Sequence, residues 1–276
     1  MAMADDRPIG VFDSGVGGLT VLHECLVTMP NEDFVYLGDH ARLPYGPRAL
    51  AEIRRFAHEI GLWLEAEDVK MIVVACNAAT SAALPDLQQV LSVPVLGVIT
   101  PEAYAAVRTT RNRRIGLLAT QATVTAGRYE SLVRTLDAGV HFTAVACPKL
   151  VPLIEGGDTF SEEVVDAVRE YAAPVREAGC DTVILGCTHF PLLRPVFQRA
   201  FGRDVTLIFS ADETAREVAA TLDRKGAGSA SGREGTYRFL TTGDPDSFRT
   251  LGERFLQLPL GVVERVDVSV LERSAA

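Results

Sequence analysis

The sequence predicts an α/β fold: two pseudo-symmetric lobes, each a mainly parallel sheet flanked by helices, with a site in the cleft between them. Three observations lead there. Short runs rich in Val and Ile, without polar alternation, recur along the 276 residues, and strands apolar on both faces belong to covered parallel sheets. Longer segments with helical spacing separate those runs, the alternation that defines the class. Finally, the chain looks alike in two places, "IVVACNAATS" (72–81) and "VILGCTHFPL" (183–192), where an apolar run stops on a cysteine.

In order, strands are expected at residues 9–12, 34–37, 71–75, 95–98, 115–118, 142–146, 183–185, 206–209 and 237–240. Helical spacing marks 49–65, 162–178 and 212–225. Thr159-Phe-Ser-Glu162 and Ser210-Ala-Asp-Glu213 both carry the capping-box pattern that opens a helix. Breaks near 98–101 and 209–212 divide the chain into a first lobe, 7–98 plus 210–276, and a second lobe, 99–209. The low-complexity run "GAGSASGREG" (226–235) is expected to be a flexible surface loop.

Composition narrows the function classes. A formal charge of −9, from 36 acidic and 27 basic residues, gives no basic field for nucleic acid or an anionic membrane. Arg111, Arg113 and Arg114 are expected in a solvated loop. The N-terminal "MAMADDRPIGVFDSG" has no apolar stretch of signal-peptide length, and no window approaches the roughly 20 apolar residues of a membrane span. A cytoplasmic protein is expected. Five cysteines in a chain this long point to reduced thiols rather than a disulfide framework.

Two kinds of constellation carry chemistry. Asp13-Ser-Gly-Val-Gly-Gly18 follows the first strand. Its glycines permit φ > 0 and close backbone approach, so the turn either presents N–H groups to an anion or simply makes a tight strand-to-helix connection. It matches neither dinucleotide nor phosphate-loop fingerprints. The other constellation is Cys76-Asn77 together with Cys187-Thr188-His189. A thiol where a strand meets a helix has its pKa lowered by the helix N-terminus. No CxxC, HxxxH or HExxH spacing occurs among the five cysteines and five histidines, which argues against zinc and against thioredoxin-type redox chemistry. Cys25, Cys147 and Cys180 are expected in the core. In open parallel sheets ligands bind beyond the carboxyl ends of strands, and both Cys76 and Cys187 fall at such ends. Two thiols facing each other suit removal of a proton from one face of a carbon and return of another from the opposite face. The substrate carbon then bears an acidic hydrogen beside a carboxylate, and hydroxyl runs such as Thr120-Gln-Ala-Thr123 would help hold it.

The motifs "FDSGVGGLTV", "LPYGPR", "VVACNAATSAAL", "PLIEGG" and "LGCTHFPLL", in this order and spacing, resemble the cofactor-independent glutamate racemases of the aspartate/glutamate racemase superfamily. The resemblance runs from about residue 8 to 220 and weakens beyond, so no function is carried past about 225. It implies interconversion of L- and D-glutamate without cofactor, metal or nucleotide, D-glutamate for peptidoglycan, and a homodimer. It implies that Cys76 takes the α-proton of D-glutamate and Cys187 that of L-glutamate, with Asp13 and His189 assisting and Glu155 an acidic group near the second thiol. It implies further that Ser14, Pro44, Tyr45, Gly46, Asn77, Thr120 and Thr188 line the substrate site, with lobe movement on binding.

One position departs from the pattern: the family has Thr or Ser after Cys-Asn, and this chain has Ala78. The backbone N–H remains, but one hydroxyl is lost, worth on the order of 1.5–3 kcal/mol against a charged ligand if nothing replaces it. Within the superfamily, His189 favours glutamate over aspartate, since relatives acting on aspartate tend to carry Glu there. Decarboxylases of malonate-like acids retain only one of the two cysteines. A non-catalytic two-lobed amino-acid-binding protein is the alternative outside enzymes, and it leaves both cleft thiols without a role.

Overall fold

The computed structural model describes residues 5–230 and 232–275. Residues 1–4 of the N-terminal stretch, Ser231 within the expected loop 226–235, and Ala276 lie outside the described residues. In chain order, β1 (Ile9–Asp13), α1 (Leu19–Thr28), β2 (Phe34–Gly38), α2 (Leu50–Ala66), β3 (Met71–Val74), α3 (Asn77–Val90) and β4 (Val95–Gly97) come first. Next are α4 (Ile99–Thr109), β5 (Arg114–Ala119), α5 (Gln121–Ala126), α6 (Arg128–Leu136), β6 (His141–Ala146), α7 (Leu150–Glu155), α8 (Glu162–Glu177), β7 (Thr182–Gly186), α9 (Arg194–Phe201) and β8 (Thr206–Phe209). The chain closes with α10 (Ser210–Lys225), β9 (Tyr237–Thr241), α11 (Pro245–Leu256), β10 (Val263–Arg265) and α12 (Val268–Ser274).

Among the described residues ten strands form two sheets, a six-stranded one ordered β10-β9-β2-β1-β3-β4 and a four-stranded one ordered β6-β5-β7-β8. Every pairing is parallel. Inner strands β1, β2, β3 and β7 are buried at every position, as their unbroken apolar runs require. Edge strand β6 has no fully buried residue, because only one neighbour and part of one face cover it. The unexpected strand is β10, three residues of which two are charged and exposed. Its sequence carries no apolar run, and only pairing with β9 reveals it.

The chain passes between the sheets twice, at Val98–Ile99 and at Phe209–Ser210. One apolar cluster runs continuously through both sheets, joining Val11 and Val73 to Ile115 and Ile184 by way of Leu19, Val98, Ala103 and Ala215. A second fills the other face of the larger sheet beneath α2 and α3.

Three local expectations are corrected. Helix α8 is capped by Ser161, whose Oγ accepts from Val164 N at 3.3 Å, and Thr159 lies outside the helix. Ser210 caps nothing: it already sits inside α10, so its side chain cannot turn back onto the third amide, and its hydroxyl donates to Glu102 Oε1 at 3.0 Å. The loop at 226–235 is pinned to the body. Ser229 N donates to Glu32 Oε1 at 2.8 Å, Arg233 pairs with Asp33 at 2.6 Å, and Gly235 N donates to Pro30 O at 2.8 Å. Glu32 is itself buried and paired with Lys70 Nζ at 2.5 Å, which fixes the anchor. The arginine cluster does lie at an exposed turn, where Arg111 reaches Asp204 O and Arg113 pairs with Asp137.

Candidate active site

Beyond the carboxyl ends of β1, β3, β5 and β7, the two sheets enclose a cavity of about 150 Å³, well below the ~300–1,000 Å³ of drug-sized sites. Both Cys76 and Cys187 line it. So do Ser14, Pro44, Tyr45, Gly46, Asn77, Ala78, Thr120, Thr188 and His189. Of the other expected site residues, Asp13 and Glu155 stand behind the lining and reach it through Thr188 and His189.

Parallel pairing explains the convergence. β3 ends at Val74 and β7 at Gly186, so each strand delivers its thiol one or two residues past the last ladder position. Beyond that point the two thiols differ. Cys76 is the N-cap of α3, and its Sγ accepts from Ala79 N at 3.5 Å. Ser14 Oγ lies 3.8 Å from the same sulfur. Burial, then the Asp13 carboxylate, push the Cys76 thiol up. The lowering expected from the helix N-terminus is present through Ala79 but is outweighed, because a desolvated thiolate beside a carboxylate is costlier than one amide can offset. Asp13 is also pushed up by burial, against the pull of His189 and of the Gly18 and Gly15 amides.

Cys187 is followed by a short 3-10 turn, Phe190–Leu193, and not by a helix start. Its partner is an imidazole: His189 Nδ1 lies 3.9 Å from Cys187 Sγ, and His189 Nε2 lies 2.9 Å from Glu155 Oε1. Burial works against a charge on His189, but hydrogen bonds and charge attraction from Cys187 and Glu155 prevail and raise it to about 10. The ring of Phe255, from α11, meets His189 edge-on at 5.2 Å. The resemblance carries no function past about residue 225, yet α11 from that part of the chain packs against a residue of the site.

The glycine turn serves close approach. None of Gly15, Gly17 and Gly18 has positive φ. A β-carbon on Gly17 would sit 2.4 Å from Thr188 Oγ1 and 2.5 Å from His189 Nδ1, so only glycine lets this turn touch the Cys187 segment. Thr20 Oγ1 lies 3.0 Å from the Thr188 carbonyl, and Thr188 Oγ1 donates to Asp13 Oδ1 at 3.5 Å. Asp13 thus stands behind both thiol turns.

The wall formed by residues 44–46 rests on a buried ion network. Arg42 Nε donates to Asp39 Oδ2 at 2.7 Å, and Arg42 also pairs with Glu59. Asp39 accepts from the Tyr45 hydroxyl and, at 2.8 Å, from Thr242 Oγ1. The Tyr45 hydroxyl is therefore committed to Asp39, leaving its ring to face the cleft. Ala122 N donates to Gly46 O at 2.9 Å, which joins this wall to α5 on the far side. Asn77 turns its amide away from the cleft, toward Tyr129 Oη at 2.7 Å and Glu102 Oε2 at 3.1 Å.

Sequence reasoning missed Asp39, Arg42, Glu102, Tyr129, Ser210 and Phe255, none of which lies in a motif that signals a site. Cys25 and Cys180 are core residues as expected. Cys147 is buried too, yet it also lines the cleft, near enough to Cys187 for that charge, after burial, to push its thiol up. Among the described residues no Lys or Arg side chain lines the cavity, and no group of three or more His, Cys, Asp or Glu side chains gathers as a metal site would. An anionic guest would be held by hydroxyls, by His189 and by free amides at the start of α3.

Known proteins place this arrangement. The model of the Asp/Glu/Hydantoin racemase family matches residues 19–218. A glutamate racemase of Corynebacterium diphtheriae is 45% identical over 252 residues, 91% of this chain and 95% of its own length. The crystal structure of a Bacillus anthracis glutamate racemase superposes with a TM-score of 0.92 at 40% identity, covering 95% of this chain and 98% of the other. That of a Francisella tularensis glutamate racemase in complex with D-glutamate gives 0.90 at 32% identity, covering 96% and 98%. Two parallel sheets meeting over a thiol pair, with likeness at this level along almost the whole length, mean that the chain belongs to the Asp/Glu/hydantoin racemase family.

Proposed function

We propose that this protein is a glutamate racemase that exchanges L- and D-glutamate by proton transfer through two cysteines, and that its D-glutamate supplies peptidoglycan synthesis. The observation that carries the reading is the placement of Cys76 and Cys187 on one small cavity, the first beside Asp13 and the second beside His189. The α-hydrogen of an amino acid is a weak acid, so an enzyme without an electron sink must desolvate the site and meet developing charge with fixed donors. Here both thiols are buried, and the first residues of α3, Asn77 and Ala78, border the cavity.

The asymmetry of the two thiols sets the resting state of this reading. Cys76 is held as a neutral thiol by burial and Asp13. Cys187 lies 3.9 Å from His189 Nδ1, a partner to which its proton can pass and from which it can return. On this reading Cys187, the thiol with a basic partner, takes the α-proton of L-glutamate, and Cys76 returns a proton to the opposite face. The reverse direction exchanges the roles. We assign Asp13 and Glu155 to support of these two protonation states, and the boundary between the lobes to the crossings at residues 98–99 and 209–210. The reading calls for no cofactor or metal, and for a cytoplasmic homodimer acting on a small dicarboxylate. No helix among the described residues is long and apolar enough to cross a membrane.

The test is α-hydrogen exchange in deuterated water, for pure L- and D-glutamate, with aspartate in parallel. Wild type is expected to racemise glutamate. Cys76→Ser, which retains Cys187, is expected to exchange mainly L-glutamate, and Cys187→Ser mainly D-glutamate. Racemisation of aspartate in preference to glutamate would transfer the activity to the shorter substrate; exchange of neither would end the racemase reading.

A further inference from the structure

Behind the cavity, at the point where the chain crosses between the sheets, lies a carboxyl that the proton-transfer scheme leaves unused. Glu102, in the first turn of α4, is fully buried and forms no ion pair among the described residues. Its partners are neutral and come from three other elements. The Tyr129 hydroxyl, from α6, donates to Oε2. Asn77 Nδ2, from the first residue of α3, lies 3.1 Å from the same oxygen. Ser210 Oγ, from the first residue of α10, donates to Oε1 at 3.0 Å.

These partners are placed where the geometry of the thiols is set. Asn77 is the residue after Cys76. Tyr129 Oη would lie 3.2 Å from a β-carbon on Gly186, the residue before Cys187, so the hydroxyl packs against the end of β7. Ser210 follows the second crossing directly, and Glu102 follows the first by a single turn. A buried carboxyl without a cation is costly. Burial pushes Glu102 up to about 8, against the pull of Tyr129, Ser210 and Asn77. Three donors converging on such a group form a satisfied network that fixes its members in one arrangement.

We propose that Glu102 is a positioning residue that fastens the two crossings to each other and, through Asn77 and Tyr129, sets the Cys76 and Cys187 turns at their working separation. The proposal rests on the two-thiol reading for its consequence in turnover, but the geometry it asserts can be measured without turnover.

The experiment is iodoacetamide labelling of the full-length protein, followed by peptide mass spectrometry of each cysteine, for wild type, Glu102→Gln and Tyr129→Phe. Labelling is run at about pH 9, above the value of about 8 for Glu102, so that Glu102→Gln replaces an acceptor-only carboxylate by an amide that also donates, where three donors already converge. Tyr129→Phe removes one hydroxyl and keeps the ring, so it serves if the first variant fails to fold. Cys76 and Cys187 are expected to label at least fivefold faster in the variants, while the core thiols Cys25 and Cys180 stay unreactive. A rise shared by Cys25 and Cys180 would reveal a purely structural role and overturn the proposal. So would a rise at only one of the two cleft thiols, or none. With glutamate as substrate, kcat is expected to fall about tenfold with KM within threefold; kcat within twofold of wild type also overturns it. A wild type that does not racemise glutamate refutes the function reading alone, since the labelling pattern still decides this one.

Discussion

Cys76 and Cys187 carry the same sulfur atom in different surroundings, and the difference lies in a few neighbours. Burial and then Asp13 push the first thiol up, whereas the second lies beside His189, which Glu155 backs. Replacing His189 by Asn should lower kcat in both directions by about 10²-fold, because in the proposed mechanism Cys187 serves as base in one direction and acid in the other; steady-state circular dichroism on each enantiomer checks it. Stability should respond as well. A histidine raised from 6.5 to about 10 contributes stability that is fully present below pH 6.5 and lost as the pH rises through about 10. Urea midpoints at pH 6.5, 8 and 9.5 should fall more steeply for wild type than for His189→Asn. The thiols and the histidine were legible in the sequence because each follows an apolar run directly. Glu102 and Ser210 were not, since a Glu in a first helical turn and a Ser at a helix start ordinarily read as local dipole and cap residues.

At the scale of elements, the strands were the easiest to read and the charged connections the hardest. Inner strands such as β3 and β7 are buried throughout, and of the ten strands among the described residues nine have a sequence signal and only β10 lacks one. The segment joining β2 to α2 carries "DHARLPYGPR", in which no pattern marks a charged residue as buried. The fold instead buries Asp39 and Arg42 within it and stacks the guanidinium 4.1 Å from the Phe56 ring centre. Arg42→Met would leave Asp39 buried without its cation and Glu59 with only the exposed Arg55, 3.5 Å away, a loss of about 3–5 kcal/mol by the usual cost of breaking such a pair. Equilibrium urea unfolding measures that loss. The same variant should raise KM for glutamate, because the Tyr45 wall rests on Asp39. An unchanged KM would mean that the wall stands without the network.

At the scale of the whole molecule, one apolar cluster passes unbroken from the larger sheet into the smaller through α1, α4 and α10. Packed interiors deform little, so closure on substrate should be a small rotation about the two crossings at residues 98–99 and 209–210, with each sheet moving as a unit. Crystal structures with and without D-glutamate, together with solution scattering, check this. The individual sheets should superpose between the states and their mutual angle should differ. Identical lobe geometry in both would show a cleft already closed, and distortion within a sheet would contradict the hinge.

By itself the sequence determined the α/β class, the strands of both sheets but one, the two thiol turns, and the family resemblance that joins them. These are local properties: apolar periodicity and short motifs report what each segment buries and where it turns. Tertiary structure alone decided that Glu102, Tyr129, Asn77 and Ser210 share one buried network, that Phe255 backs His189, and that Cys147 joins the cleft. It also decided that Gly17 must lack a side chain so that Thr188 and His189 can approach. The physical reason is that the crossings bring together groups far apart in sequence, and burial there changes what a carboxyl or a thiol is. No pattern along the chain records which polar groups will lose their water together.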